Sequence, residues 1–320
     1  MATYKGIQGF GVETLASDPT ESGSVGQIFY NSTSGTFKTV KPGGMAAGTW
    51  ASAASLNTAR GSAAAAGIYT AGLVFGGTPP TIANTEAYNG TSWSEQNDLS
   101  TTGYNMLGCG LQNGALRHGG YNGSYLNVTE EYNGTSWTTG NTTPVNIDSH
   151  TGSFGTQTAA LAVSGNQPPG TVVGVFAYNG TDWTVSASVN TAKEAAGGFG
   201  TTTSALVTGI SGQGTESWNG TSWTEVAEKN TDRALYGGAS GTGNTDGLVY
   251  GGTPPTTGKT EFWNGTSWTE LADMATSRTT AGVGNSSVNA LAASGLIPPV
   301  TSATEEWTVP DVVINTLTTS

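Results

Sequence analysis

One hexapeptide recurs five times along this chain. It reads Tyr88-Asn-Gly-Thr-Ser-Trp93, Tyr132-Asn-Gly-Thr-Ser-Trp137, Tyr178-Asn-Gly-Thr-Asp-Trp183, Trp218-Asn-Gly-Thr-Ser-Trp223 and Trp263-Asn-Gly-Thr-Ser-Trp268. The closing tryptophans are 40–46 residues apart, a period that marks one supersecondary unit copied along the chain. Trp50, in Gly48-Thr49-Trp50, and Trp307, after Thr304-Glu305-Glu306, continue the series at either end. All nine tryptophans then belong to the repeat. Trp50, Trp93, Trp137, Trp183, Trp223 and Trp268 close a copy, and Trp218, Trp263 and Trp307 open one.

Each unit divides into four short segments. In the first complete unit they are the small apolar run Arg60–Ala66, then Leu73–Gly77, then Asn84–Tyr88, then a segment starting at Thr91. Asn-Gly between the last two predicts a tight hairpin, with a two-residue type I′ turn and positive φ at both residues. Four short strands per unit of this length indicate a β-propeller. Coils of a parallel β-helix are much shorter, and leucine-rich repeats need spaced leucines that are absent here. Gly and Ala in the first strand suit crowding around a central channel. The aromatic residues suit the widening gaps between outer strands. First, second and third segments each occur six times, against five complete hairpins. The strand around Trp50 should supply the missing outer strand by pairing with the strand ending at Trp307, which removes exposed sheet edges. The expected fold is all-β: a six-bladed propeller of four-stranded antiparallel blades over residues 47–309.

Residues 1–46 lack the repeat. Val25–Val40 alternates and turns around Asn31–Gly35, which predicts a separate hairpin. A lone hairpin is marginal in water, so residues 1–46 are expected to contact other subunits as an assembly segment. Residues 310–320 are read as a tail. The formal net charge is −12 with only ten Lys and Arg, which disfavours nucleic acid or an anionic membrane as partner. No run approaches a membrane span, and Met1–Phe10 lacks a signal-peptide pattern. Cys109 is the one cysteine, so no disulfide framework exists. Its apolar neighbours point to a buried, inert thiol.

At about 44 residues per copy, a Gly-Gly pair, then an aromatic residue, then Trp resembles kelch-type β-propellers. Gly155-Thr-Gln-Thr-Ala-Ala-Leu-Ala162 ahead of Tyr178–Trp183 is similar to the kelch-like repeats of marine bacteriophage structural proteins, including cyanophage tail and fibre proteins. Tyr4-Lys-Gly-Ile-Gln-Gly9 followed by Gly26-Gln-Ile-Phe-Tyr-Asn31 looks like the segment that precedes those repeats. The resemblance covers essentially the whole chain. It implies a non-enzymatic virion protein on the tail (fibre, spike or adaptor), exposed on the particle in multiple copies. Residues 1–46 would join other virion subunits, and the propeller would have host-surface glycan or protein as a further partner. A capsid decoration or head-fibre protein and a cellular glycan-binding or glycan-active propeller are the alternatives; a cellular kelch adaptor is disfavoured because no partner domain is attached. Units three, four and six lack a full Gly-Gly after the second strand, and Phe176 stands where other units have Glu86, Glu130, Glu216, Glu261 and Glu305. These departures should alter local turns and leave the ring intact.

The repeated Glu could form a ring of carboxylates for metal or acid–base work. The structural reading is favoured: each Glu accepts backbone N–H bonds or pairs with an Arg such as Arg60, Arg233 or Arg278. His118 and His150 lie in different units, which disfavours a shared metal site. No nucleophile elbow or phosphate loop occurs. No catalytic residue, metal or cofactor is expected, and the Asn-x-Ser/Thr sequons read as turns. The most distinctive loop carries Tyr121, Asn122, Tyr125 and Asn127. With Gln167 and Gln213 it defines a candidate binding rim, opposite the regular Asn-Gly turns, where the loops differ from copy to copy.

Overall fold

The computed structural model describes residues 12–148, 152–167, 170–209, 214–235, 238–284, 286–296 and 299–317. The chain is all-β, with two short 3-10 turns at Ser22–Ser24 and Met45–Ala47. Among the described residues it has seven four-stranded sheets, where six blades and a separate hairpin were expected. It divides into two compact units, Thr49–Thr308 and a second formed by Met1–Gly48 with Val309–Ser320.

Six of the sheets lie in Thr49–Thr308, and their fold is propeller-like. Sheet I is Ala64–Ile68, Ala71–Phe75, Thr85–Tyr88 and Trp93–Gln96. Sheet II is Leu107–Leu111, Gly114–His118, Thr129–Tyr132 and Trp137–Thr139. Sheet III is Gly152–Thr156, Ala159–Gln167, Gly170–Tyr178 and Trp183–Ser186. Sheet IV is Gly197–Gly200, Ala205–Thr208, Thr215–Trp218 and Trp223–Val226. Sheet V is Ala239–Gly243, Asp246–Tyr250, Thr260–Trp263 and Trp268–Glu270. Sheet VI is Ala281–Val283, Asn289–Leu296, Val300–Thr308 and, from the other end of the chain, Thr49–Ala53. The last two strands pair antiparallel with Trp307 opposite Trp50, as the hairpin count predicts.

The first strands of all six sheets line one cavity of about 130 Å³. Its wall is Ala63–Gly67, Met106–Gly110, Ser153–Gly155, Gly198–Gly200, Ala239, Gly241 and Ala281–Gly284. The small residues are needed there. A Cβ on Gly108 would sit 2.5 Å from the Ala65 carbonyl oxygen, and one on Gly198 would sit 2.4 Å from the Phe154 ring.

The Asn-Gly turn differs from expectation. Tyr88 pairs with Trp93, so the loop holds four residues and not two. The Asn89 Oδ1 accepts the N–H groups of Thr91 and Ser92 at 2.9 and 2.8 Å, and only Gly90 has positive φ, at 87°. The other four copies repeat this arrangement. Asn is therefore an acceptor for an otherwise open turn.

The Gly-Gly pair that follows the second strand has its own geometry. Gly76 and Gly77 have φ of 64° and 119°, and Gly251 and Gly252 have 68° and 121°. In sheets III and VI, Ser164-Gly165 and Ser294-Gly295 take 59°, 126° and 56°, 136°. The first position accepts Ser in the left-handed region, while the second stays glycine. Beyond these two Ser-Gly pairs the strands resume after a register shift. Asn166, Gln167 and Gly170, expected in a loop, pair as strand residues.

The seventh sheet belongs to the other unit. Ile28–Asn31 and Thr36–Pro42 form the expected hairpin, with Glu13–Leu15 parallel to the first strand and Val312–Thr316 antiparallel to the second. Within the segment read as a tail, Val312–Thr316 supplies a strand that completes the N-terminal hairpin in cis. Phe29, Val40 and Val312 pack with Leu15 and Ile314 on one face. Ile28 and Phe37, from the opposite face, are 52% and 49% exposed. Among the described residues no helix is long and apolar enough to cross a membrane.

Candidate functional site

The repeated Glu is a structural lock. Glu86, Glu130, Glu216 and Glu261 are fully buried and Glu305 nearly so. Each accepts two consecutive backbone N–H groups from the linker entering its own sheet. Examples are Ser100 and Thr101 on Glu130 at 2.7 and 3.1 Å, and Ala275 and Thr276 on Glu305 at 2.7 and 3.2 Å. Each also faces one buried cation. Arg60 pairs with Glu86, Arg233 with Glu261, Arg278 with Glu305, and Lys193 with Glu216 at 2.8 Å. Both halves of the structural reading therefore hold, since the carboxylates stand apart, one per sheet, each neutralised where it stands.

Sheets II and III depart from this scheme. Gly103 occupies the linker position that carries Arg60, Lys193, Arg233 or Arg278 elsewhere. The cation comes instead from the second strand as Arg117, whose Nη1 lies 3.7 Å from Glu130. Arg117 Nη1 and Nη2 are buried without hydrogen-bond partners, and Nε meets only the Met106 sulfur at 3.4 Å. Burial lowers the Arg117 pKa to about 10, against the opposing pull of Glu130. In sheet III the lock is absent: Phe176 replaces Glu, Ile147 replaces the cation, and both are buried in one apolar cluster.

The closing tryptophans link neighbouring sheets. Trp137 donates its indole N–H to the Thr85 hydroxyl at 3.0 Å, Trp183 to Thr129 at 2.9 Å and Trp50 to Thr260 at 2.8 Å. Trp93 reaches the Ala54 carbonyl at 2.9 Å and Thr304 at 3.2 Å; Trp223 and Trp268 reach the carbonyls of Ala187 and Ala227. Their rings pack on the end of the preceding sheet's second strand: Phe75 with Trp137, His118 with Trp183 and Tyr250 with Trp50, at centroid distances of 4.8, 5.0 and 4.9 Å. Trp307 is fully buried on the opening side. The one described histidine thus occupies an aromatic wedge position. Its Nε2 lies 3.1 Å from the Ser153 Oγ. Burial, aided by the Arg117 charge, pushes the imidazole down to about 3, too weakly basic to activate a hydroxyl at neutral pH. His150 lies outside the described residues. Burial pushes the Cys109 thiol up to about 11, which fits the inert thiol expected. Among the described residues no group of His, Cys, Asp or Glu is arranged to hold a metal ion.

The expected rim has a real focus, though not from all its members. Glycine in each Asn-Gly turn faces the first-to-second turn of its own sheet, for example Gly90 on Thr70 and Gly134 on Asn113. These two turns therefore share an end. The second-to-third loops meet the linkers at the other end, through bonds such as Gly77 N–H to Gly103 O and Ile147 N–H to Leu126 O. Tyr121 and Tyr125 stack edge to face at 5.3 Å, and both are half-buried. Asn122 is exposed, whereas Asn127 is half-buried and its carbonyl accepts the Thr143 N–H at 2.9 Å. Gln167 ends a strand of sheet III, with its side chain outside what is described, and Gln213 lies outside the described residues altogether.

Three residues that sequence reasoning passed over do join the tyrosines. Tyr104 stacks on Tyr121 at 5.6 Å, and the two exchange backbone hydrogen bonds of 3.0 and 2.9 Å. Asn105 follows at φ 54°. Asp148 ends the linker into sheet III, and its Oδ1 is buried without a partner. Burial holds the Asp148 carboxyl above the usual range, partly offset by a hydrogen bond from Asn105. The Tyr104 hydroxyl is raised by burial, then by Tyr121 and Asp148. Gly103 was the available signal: it breaks the linker pattern one residue before Tyr104.

No family model and no curated protein matches this sequence. Among solved structures the chain is similar to one titled "Structure of YjhT", with a TM-score of 0.65 and 10% identity over 82% of this chain and 99% of that one. At that identity the likeness concerns the fold alone.

Proposed function

We propose that this chain is a non-enzymatic structural protein of a bacteriophage virion, exposed on the tail, in which a six-bladed propeller is held to the particle by a separate terminal module. Several observations support a ring of six blades. Six first strands share one cavity. The Trp50 strand completes sheet VI. Linker bonds run from sheet to sheet, as in Gly77 N–H to Gly103 O and Gly120 N–H to Ile147 O, and return with Gly295 N–H to Arg60 O. The seventh sheet is then no blade.

The observation that carries the reading is the terminal module. Glu13–Pro42 and Val312–Thr316 meet in one small sheet with its own core, and that sheet exposes Ile28 and Phe37. Exposed large apolar side chains in so small a unit suit a subunit contact. The resemblance of residues 4–9 and 26–31 to the segment preceding phage kelch-like repeats adds the kind of particle. The same contact on a capsid would make the chain a decoration protein. The test is mass spectrometry and labelled electron microscopy of purified particles from a phage encoding this chain. The full chain should be found on the tail in multiple copies, and Ile28→Asp with Phe37→Asp should be missing from particles while remaining folded. Absence of the native chain from particles refutes the reading, and labelling on the head replaces tail by capsid.

A further inference from the structure

The dipeptide Asn-Gly occurs seven times, at Asn89, Asn113, Asn122, Asn133, Asn179, Asn219 and Asn264. Asparagine is among the thermolabile residues, and a following glycine makes it most prone to lose its side-chain amide. The glycine nitrogen attacks the asparagine Cγ and closes a succinimide ring. Glycine has no Cβ to obstruct that approach. All seven asparagines are exposed, so access to solvent does not distinguish them. Their surroundings do.

Five of them sit in the hexapeptide turns. There each Oδ1 accepts two backbone N–H groups at 2.8–2.9 Å. Each asparagine N–H reaches the carbonyl three residues on at 3.2–3.3 Å. The glycines are covered as well. A Cβ on Gly90, Gly134, Gly180, Gly220 or Gly265 would lie 3.2–3.4 Å from the first-to-second turn of its own sheet. Ring closure rotates the asparagine about its Cα–C bond, out of the regions an ordinary residue occupies. In these turns that rotation breaks both side-chain bonds and displaces a packed glycine. Asn113 is held differently: Gly114 pairs with Leu111 at the end of a strand ladder, and its peptide cannot rotate without breaking that pair. Asn122 is held least. Among the described residues its Oδ1 meets one N–H, that of Ser124, at 3.4 Å, beyond the ordinary range for such a bond. Its own N–H reaches the Ser124 carbonyl at 3.3 Å. Gly123, at φ 113°, has nothing within 4 Å of a Cβ built on it.

We propose that Asn122 is a modification site, converting spontaneously to aspartate and isoaspartate while the hexapeptide asparagines are preserved by their turns. The Gly123 nitrogen loses its proton to hydroxide and bonds to the Asn122 Cγ. The Cγ–Nδ2 bond breaks, and ammonia leaves. Water then opens the ring. Opening at Cγ gives aspartate, and opening at the main-chain carbonyl gives isoaspartate. Either product adds a negative charge to the loop. Isoaspartate also adds one carbon to the main chain between Tyr121 and Tyr125, which bridge and stack at 5.3 Å. These two form the tyrosine platform together with Tyr104, so the change falls on the most distinctive loop of the variable rim. The inference is independent of the virion reading.

The test uses the purified full chain, incubated at mildly alkaline pH either folded or unfolded in guanidinium chloride. Samples are digested under acidic conditions, and mass spectrometry follows each Asn-Gly peptide with time. Electron-transfer fragmentation separates aspartate from isoaspartate. In the folded chain Asn122 should convert at least tenfold faster than any hexapeptide asparagine, because losing two hydrogen bonds of typical strength slows a step by roughly tenfold or more. Asn113 should also lag behind Asn122. In the unfolded chain the seven rates should converge, since glycine follows every one. A hexapeptide asparagine or Asn113 converting as fast as Asn122 in the folded chain overturns the proposal. So does an intact Asn122 in the folded chain over the time in which the unfolded chain converts.

Discussion

In sheet V the buried lock pairs Glu261 with Arg233, and in sheet III the corresponding positions hold Phe176 and Ile147. Both arrangements fill the same space between the third strand and the incoming linker. The ionic version also satisfies two linker N–H groups, through Asn230 and Thr231 on Glu261. The apolar version removes both charges together, a replacement that is often neutral in energy. Sheet II lies between these two solutions. It keeps Glu130 and its two N–H donors but moves the cation to the second strand, which leaves Arg117 loosely paired. The comparison shows that the lock tolerates being complete or absent, and that a half-changed lock coincides with the tyrosine platform. With Gly103 in place of an Arg there is room for Arg117, since a Cβ at this position would lie 3.1 Å from its Nη2, and the linker carries Tyr104 to Tyr121.

The largest expected effect separates sheet V from sheet II. Arg233→Met leaves Glu261 buried without its cation and should cost about 3–5 kcal/mol. Arg117→Met gives up a 3.7 Å contact but also removes two N–H groups that had no partner. It should cost at least ~2 kcal/mol less, since an unmet buried donor is itself penalised by about 1–3 kcal/mol. Urea unfolding of the two variants measures the difference, and equal midpoints would show that the looser pair is no weaker.

A second effect contrasts His118 with Phe75, which fills the same wedge in sheet I. His118 titrates at about 3 in the folded chain, below the unfolded value of about 6.5. Its contribution is therefore complete above pH 6.5 and is lost as pH falls toward 3, at ~1.4 kcal/mol per pH unit. His118→Phe should flatten this limb of the stability profile while leaving stability at pH 8 nearly unchanged. Parallel profiles for the two proteins between pH 6 and 4 would remove the imidazole from the account.

Much of this architecture was legible in the sequence, because each repeated residue has a job that repeats. The Trp period set the length of each four-stranded unit, and the hairpin count placed Trp50 opposite Trp307. The recurring Glu announced its Arg partners because Glu86, Glu261 and Glu305 each follow an Arg by 26–28 residues. What stayed hidden depended on single positions. Asn in the hexapeptide favours two turn geometries, and only coordinates show its side chain serving Thr91 and Ser92. Val312–Thr316 has no repeat to identify it, and it pairs with a strand some 270 residues earlier. Tyr104 and Asp148 lie in two different linkers and meet only when sheets I, II and III are brought together. A candidate site made from departures cannot be read from a template made of identities.

The smallest effect concerns the hydroxyls of the opening aromatic residues. Tyr178 donates to Glu131 at 2.6 Å and Tyr88 to Glu306 at 2.7 Å, each bond crossing to the preceding sheet. Tyr132 is the same residue in sheet II, but the preceding sheet offers Ala87 at the position of Glu131 and Glu306, and its hydroxyl has no partner. Hydrogen bonds to charged groups contribute about 1.5–3 kcal/mol, and a buried hydroxyl without a partner contributes none and costs its desolvation. Tyr178→Phe should therefore destabilise by about 1.5 kcal/mol or more, while Tyr132→Phe should be neutral or slightly stabilising, within ~0.5 kcal/mol. Ala87→Glu sharpens the contrast. If the geometry of sheets II and III is interchangeable here, the new carboxylate should accept the Tyr132 hydroxyl, and Tyr132→Phe should then become costly in that background. A double-mutant cycle over Ala87→Glu and Tyr132→Phe that shows no coupling would mean that the two interfaces differ in more than this one side chain.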